Sequence, residues 1–321
     1  MKKKITTIRE ITEVAKKKIK PNAWKWLDGS AEYGYTTIKN REIFRKISLI
    51  PRVLNSNFNL NIEKNFFGKK VSSPIIICPV GGLNQFHVRA EYLISNSSEK
   101  HRVPYFFPNN SSETLNQMNP KKIKNFLCSS LYLDNDFNFI KKSIFDAEIN
   151  GCNSIAITVD SPVRSYSYNK MDQGYDARKH YKKKPLKYFR KKKGDPINWK
   201  DIEKIRKLTD VPLVLKGILS KHDAKRACNL GVNGIWISNH GGRTLETDIT
   251  AMEVTESIKS IVPKNVIIMV DGGVRTGTDI LKTLSLGADF VGIGRPVAYG
   301  LIADGSKGID FVLSLKLVNS N

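Results

Sequence analysis

A chain of 321 residues with 40% hydrophobic content holds one large core or two modest ones, and one α/β barrel of about 250 residues plus an extension fits that length. Four cysteines, at 78, 128, 152 and 228, form no CxxC pair, zinc spacing or disulfide scaffold, so a reducing, cytoplasmic setting is the default; the lysine-rich start lacks a signal peptide's apolar stretch, and the longest apolar runs are strand-sized. The net charge of +23 admits a nucleic acid, an acidic membrane surface or an anionic substrate as partner, or simply a lysine-rich surface.

Up to about Asn65 the pattern is helical with loops, and Ile8 to Ile19 carries apolar residues at helical spacing until Pro21. Short β-rich runs then alternate with helix-length stretches. They are Ile75 to Pro79, Val103 to Phe107, Phe126 to Tyr132, Ser154 to Asp160, Pro212 to Lys216, Gly234 to Ser238, Val266 to Val270 and Asp289 to Ile293. Eight such runs predict a single (β/α)8 TIM barrel over 71–321 behind an N-terminal extension, 1–70, the whole forming one domain. Between the fourth and fifth runs, 163–199 is too long for an ordinary βα connection and reads as a basic loop, a candidate lid. It carries twelve Lys/Arg against three Asp/Glu, +9 of the +23. No heptad, zinc-finger spacing or RNP-type aromatic run accompanies it, which argues against nucleic acid. A solvated basic surface is the first reading, and peripheral contact with the inner membrane face the second.

The strand ends carry the chemistry. The fourth ends in Thr158-Val159-Asp160, the fifth in Lys216-Gly217, the sixth in Ser238-Asn239-His240-Gly241-Gly242-Arg243. The seventh ends in Asp271-Gly272-Gly273-Val274-Arg275 and the eighth in Gly294-Arg295-Pro296. Barrel active sites are assembled at this C-terminal face. Glycines with Arg275 and Arg295 on the last two ends suit a phosphate, which backbone N–H groups approach and a guanidinium clamps; a tight turn with a surface ion pair is the plainer alternative. His240 beside exposed backbone suits a general base, with Asp160 holding the imidazole and Arg243 suited to a carboxylate. Lys216 points at the barrel mouth and suits an anionic cofactor ring or a Schiff base, or else pairs with Asp160 or Asp271. There is no GxGxxG after an early strand, which counts against a dinucleotide, and no metal-ligand spacing.

The strings Ser238 to Arg243 and Asp271-Gly272-Gly273-Val274-Arg275-Thr276-Gly277-Thr278-Asp279 resemble those of the FMN-dependent α-hydroxy-acid oxidases and dehydrogenases. Gly292 to Pro296 matches too, and weaker likenesses run back through Thr158 to Asp160, Pro79 with His87 and Glu91, and Asn40 to Leu54, so nearly the whole chain is covered. The resemblance implies oxidation of an L-2-hydroxy acid to the 2-oxo acid, with hydride equivalents passing to flavin N5. By it, His240 is the base, Asp160 its partner and Arg243 the carboxylate ligand. Lys216 meets the flavin N1/O2 edge and Ser238 lies near the ring. Gly273, Arg275, Gly294 and Arg295 hold the phosphate and ribityl chain, and Pro79, Val80, Gly81, Thr158, Asp271 and Gly272 complete the FMN-binding set. A homotetramer is also implied, although the chain ends at Asn321, before the family's last helical segment.

Departures from the family pattern concentrate on the substrate wall. Trp26 stands where the family has a substrate-binding Tyr, Cys128-Ser129-Ser130 where it has Gln-x-Tyr, and Phe106 where it has a flavin-side Ser. A second carboxylate-binding Arg aligns with Ser167, and Arg164 is its candidate replacement. Trp26, Ser130, Arg164, His240 and Arg243 are therefore the expected substrate-binding set, shaped for a larger or aromatic acid. A flavin-binding pseudoenzyme and a relative oxidising a modified peptide or amino-acid-like substrate are the alternatives. The electron acceptor (oxygen, quinone or a protein) is left open.

Overall fold

The computed structural model describes residues 5–54, 61–119, 124–132, 137–161 and 198–314. Most of the basic loop, with Arg164 and Ser167, lies outside the described residues.

Three helices open the chain. In α1 (Ile8–Lys18) the Thr7 side chain accepts from Glu10 N and caps the first turn, while Lys16, Lys17 and Lys18 favour the negative end of the helix dipole. Pro21 does more than end α1. It occupies the first turn of α2 (Pro21–Asp28), where its missing N–H costs nothing. After α3 (Tyr35–Glu42), a hairpin of β1 (Lys64–Phe66) and β2 (Lys69–Val71) follows at the end of the stretch read as helical with loops, and the sequence pattern did not mark it.

Eight parallel strands close the barrel: β3 (Ile75–Ile77), β4 (Tyr105–Pro108), β5 (Leu127–Tyr132), β6 (Ile155–Thr158), β7 (Leu213–Ile218), β8 (Gly234–Ile237), β9 (Ile267–Asp271) and β10 (Phe290–Ile293), with β10 paired to β3. These are the eight expected runs with slightly shifted ends. The runs read as continuously apolar because both faces of each strand are buried. Ile76, Cys78, Phe106, Cys128, Ala156, Val214, Trp236, Met269 and Phe290 fill the barrel interior. Their neighbours, such as Ile77, Leu215 and Val270, pack outward against the helices. Phe66 of the hairpin plugs the bottom, its ring edge-on to Phe106 at 6.2 Å and to Phe290 at 5.0 Å.

That plug leaves the opposite end for chemistry. One pleat above the apolar interior, the inward positions become Ser130, Thr158, Lys216, Ser238 and Asp271, all buried. The helices that return the chain between strands are well capped: Thr250 with Glu253 and Thr276 with Asp279 each form a capping box. No helix among the described residues is long and apolar enough to cross a membrane.

Candidate active site

The barrel mouth opens into a cleft of about 270 Å³. Trp26 lines it from α2, Pro79, Val80 and Gly81 from the end of β3, and Lys216 from β7. The chain after β8 adds His240 and Arg243, the end of β9 adds Asp271, Gly272, Gly273 and Arg275, and the end of β10 adds Gly294 and Arg295. The N-terminal extension is locked onto this face. Asn40 and Asn239 exchange amide hydrogen bonds of 3.0 and 2.8 Å, and Thr37 Oγ1 donates to Gly241 O at 3.1 Å. The backbone of Gly273, at φ +81°, lies so close to α3 that a Cβ would fall 1.8 Å from Asn40 O.

His240 is held in the left-handed region at φ 56°, a conformation costly for a side chain with a Cβ, and its N–H donates to Ser238 Oγ at 3.0 Å. That turn delivers Nδ1 to Asp160 Oδ1 at 2.9 Å. Asp160 reaches this position only because the next strand carries Gly217 at φ +109°; a Cβ there would sit 2.4 Å from Asp160 Cβ. Burial pushes the Asp160 carboxyl up, but the charges of His240 and Lys216 outweigh it and hold the group below the usual carboxylate range. Asp160 is therefore an anion that accepts from the Nδ1 N–H of His240, and Nε2 is left facing the cleft. Tyr132, which the sequence analysis passed over, meets that nitrogen: its hydroxyl lies 3.1 Å from Nε2.

Lys216 is buried in the mouth. Its Nζ donates to Ser238 Oγ at 3.1 Å, stands 3.8 Å from Asp271 Oδ2, and lies 5.4 Å from the centre of the Trp236 ring. Burial alone would discharge the ammonium, yet Asp271 and Asp160 raise it to about 12, so it is a fixed cation. Ser238 Oγ in turn donates to Asp271 Oδ1 at 2.7 Å, closing the network.

Three guanidiniums form the other wall. Arg243 donates to Trp26 O, Leu27 O and Gly29 O at 2.9, 2.7 and 2.8 Å, which leaves two of its five N–H groups for a ligand. Arg295 donates to Gly29 O at 3.0 Å and to Gly241 O at 3.2 Å. Its Nε is buried without a hydrogen bond, with Asp28 Oδ1 3.8 Å away. Arg275 donates to Val274 O at 2.8 Å, and its Nη2 is buried with no partner. Burial, with repulsion from neighbouring guanidiniums behind it (Arg295 and Arg41 on Arg275, Arg243 and Arg41 on Arg295), pushes Arg275 and Arg295 down to about 10. Crowded, under-bonded guanidiniums beside the glycines of two strand ends are what a phosphate relieves.

Not every expected residue lines the cleft. Thr158, Ser238 and Asp160 sit just behind its surface, Asp160 and Ser238 acting through His240 and Lys216. Ser130 is 2% exposed in the barrel mouth between Pro108 and Ala156, outside the lining, so the expectation that it forms the substrate wall is revised. Phe106 is likewise in the interior, its ring 4.8 Å from that of Trp236, and Cys128 lies in the same layer. The side chains that do reach the cleft from these two strands are Tyr132 and, just past β4, Asn110. A signal for Tyr132 was present. Strand periodicity puts it on the face of Ser130, one pleat nearer the mouth.

Comparison with known proteins gives one answer. The family model described as FMN-dependent dehydrogenase matches residues 15–317. An L-lactate dehydrogenase of Acinetobacter baylyi is 32% identical over 97% of this chain and 91% of its own, and 2-hydroxyacid oxidase 2 of Rattus norvegicus is 29% identical over 94% and 88%. A crystal structure of mandelate oxidase with benzoyl-formic acid superposes with a TM-score of 0.91 at 29% identity, covering 98% of this chain and 92% of that one. With the fold, the strand-end residues and the match along nearly its whole length in agreement, the chain belongs to the FMN-dependent dehydrogenase family.

Proposed function

We propose that this FMN-dependent oxidoreductase oxidises an L-2-hydroxy acid to the 2-oxo acid, with His240 as the base. The observation that carries the reading is the Asp160–His240 pair at 2.9 Å, presenting Nε2 to a cleft that also holds Arg243 and Lys216. FMN bound in the cleft would supply the acceptor for the hydride equivalents that leave the substrate carbon. Arg275 and Arg295 would hold the phosphate, with backbone from Gly273 and Gly294. Pro79 to Gly81 and Lys216, which line the same cleft, would border the ring, with Lys216 as its cationic neighbour.

The chain's own groups do the rest. Arg243 draws the carboxylate with the N–H groups that α2 does not use, fixing which face of the acid meets His240. Nε2 takes the substrate proton, and the ionised Asp160 stabilises the imidazolium that results. Lys216, a permanent cation under the mouth, favours negative charge accumulating above it. Trp26 supplies an apolar wall, its ring 6.2 Å from Phe86 and 5.6 Å from the Arg243 guanidinium carbon. That wall favours an acid with a larger or aromatic side chain.

Anaerobic mixing of the flavin-loaded protein with a series of L-2-hydroxy acids tests the reading. The flavin absorbance should bleach with at least one of them. His240→Ala should keep its FMN and reduce it about 10²–10⁴-fold more slowly. A His240→Ala protein that bleaches at the wild-type rate would overturn the assignment.

A further inference from the structure

The helix α2 ends on an acid that has no part in the scheme above. Asp28 is its last residue, where a negative charge meets the negative end of the helix dipole. The position makes sense only with cations in front of it. Three carbonyls at that helix end, Trp26 O, Leu27 O and Gly29 O, accept from Arg243, and Gly29 O also from Arg295. The Asp28 carboxylate turns the same way. Its Oδ1 accepts from Arg41 Nη2 at 3.0 Å and from the Tyr299 hydroxyl at 2.6 Å, and lies 3.8 Å from Arg295 Nε. Burial raises that phenol to about 12, so it is the donor. Tyr299 is itself fixed, its ring stacked on Trp24 at 5.2 Å with the Arg275 guanidinium carbon 6.0 Å from its centre.

Charge balance shows what this carboxylate does. The guanidiniums of Arg41, Arg243, Arg275 and Arg295 stand close enough to repel one another, and the charge of Asp28 supports those of Arg243, Arg275 and Arg295. A phosphate monoester brings about −1.5 to −2 charge to the same wall. The guanidiniums draw it in and Asp28 repels it. Arg295 stands between the two claims. Its Nε is buried without a hydrogen bond, so the 3.8 Å approach of Asp28 is an attraction that a phosphate outcompetes. We propose that Asp28 is the resident counter-ion of the arginine wall: it holds the guanidiniums together in the apoprotein and, as a like charge beside the FMN phosphate, loosens the cofactor's grip. The proposal rests on the functional reading given above, which assigns that phosphate to Arg275 and Arg295. It makes Asp28 a positioning residue that trades cofactor affinity for a stable apoprotein.

The test starts from protein loaded with FMN or with riboflavin, diluted so that flavin release is followed by fluorescence. Asp28→Asn keeps an oxygen for Tyr299 and Arg41 and removes only the charge. It should release FMN about tenfold more slowly than the wild type, a Coulombic gain moderated by the 27% exposure of the Asp28 side chain. Riboflavin, which has no phosphate, should leave both proteins at the same rate. Stripped of flavin, Asp28→Asn should melt below the wild type, and added inorganic phosphate should narrow the gap. Release is read from the loaded protein, so it is measurable even if the variant's apoprotein unfolds. The proposal is overturned by FMN leaving Asp28→Asn at the wild-type rate or faster, by an equal slowing for riboflavin, or by apoproteins of equal Tm. None of these touches the functional reading. A wild-type protein that holds riboflavin as tightly as FMN removes the phosphate assignment, and the proposal with it.

Discussion

Gly217→Ala isolates the one contact on which the base depends without touching either partner's chemistry. The new Cβ would lie 2.4 Å from Asp160 Cβ and 2.5 Å from its Cγ. Carbon atoms rest at about 3.5–4.0 Å, so Asp160 must retreat by about 1 Å. The Asp160–His240 separation, 2.9 Å in the structure, would open beyond hydrogen-bond reach. Losing a charge-assisted bond to the imidazolium costs about 1.5–3 kcal/mol, or about ten- to hundredfold in the rate of flavin reduction. The φ of +109° adds backbone strain of about 1–3 kcal/mol, which should lower Tm by several degrees. Stopped-flow bleaching under anaerobic conditions reads the rate, and released FMN fluorescence reads retention. Asp160→Asn is the companion, because it removes the charge and leaves the space. The reasoning fails if Gly217→Ala loads FMN fully and reduces it at the wild-type rate.

The other predictions concern the cofactor wall, a buried carboxyl and the substrate. Arg295→Ala removes a guanidinium that also ties Gly29 O to Gly241 O, and should weaken FMN binding by about ten- to hundredfold; Arg295→Lys should not restore it, because an ammonium lacks the planar fork. A full flavin complement in either variant after dialysis would argue against this phosphate site. Glu91, in the first turn of the helix Ala90–His101, is fully buried, and neither carboxylate oxygen has a hydrogen bond of good geometry. Burial, only partly offset by its backbone and Ser111, raises it from 4.5 to about 7. The fold thus favours its neutral form, and the stability it allows is complete below pH 4.5 and lost as pH rises through 7, by about 3 kcal/mol in all. Glu91→Gln should melt like the wild type at pH 4.5 and higher than it at pH 8; parallel Tm profiles would refute this. An aromatic 2-hydroxy acid that buries a ring on Trp26 should exceed lactate in kcat/KM by about tenfold or more, and Trp26→Ala should erase the difference. Lactate matching every bulky acid would refute the apolar wall.

The eight strands, the barrel and the functional end were legible because they depend on local rules. Apolar runs of strand length alternating with amphipathic helices admit few topologies, and polar residues at successive strand ends in a barrel converge on one face whatever the details. The candidates His240, Asp160, Lys216, Arg275 and Arg295 were singled out this way, each at or just past a strand terminus, and the fold gathers them around one cleft. What escaped is set by distances between segments remote in sequence. Pleat depth decided that Ser130 stays in the mouth while Tyr132, two residues on, reaches Nε2. The docking of α2 decided that Arg243 spends three N–H groups on backbone carbonyls 214 to 217 residues away. The β1–β2 hairpin, weakly patterned and charged, became a plug because Phe66 fits among the rings at the barrel's closed end. Periodicity records which face a side chain takes; only the packed chain sets how deep along that face it lies and which partner it meets there.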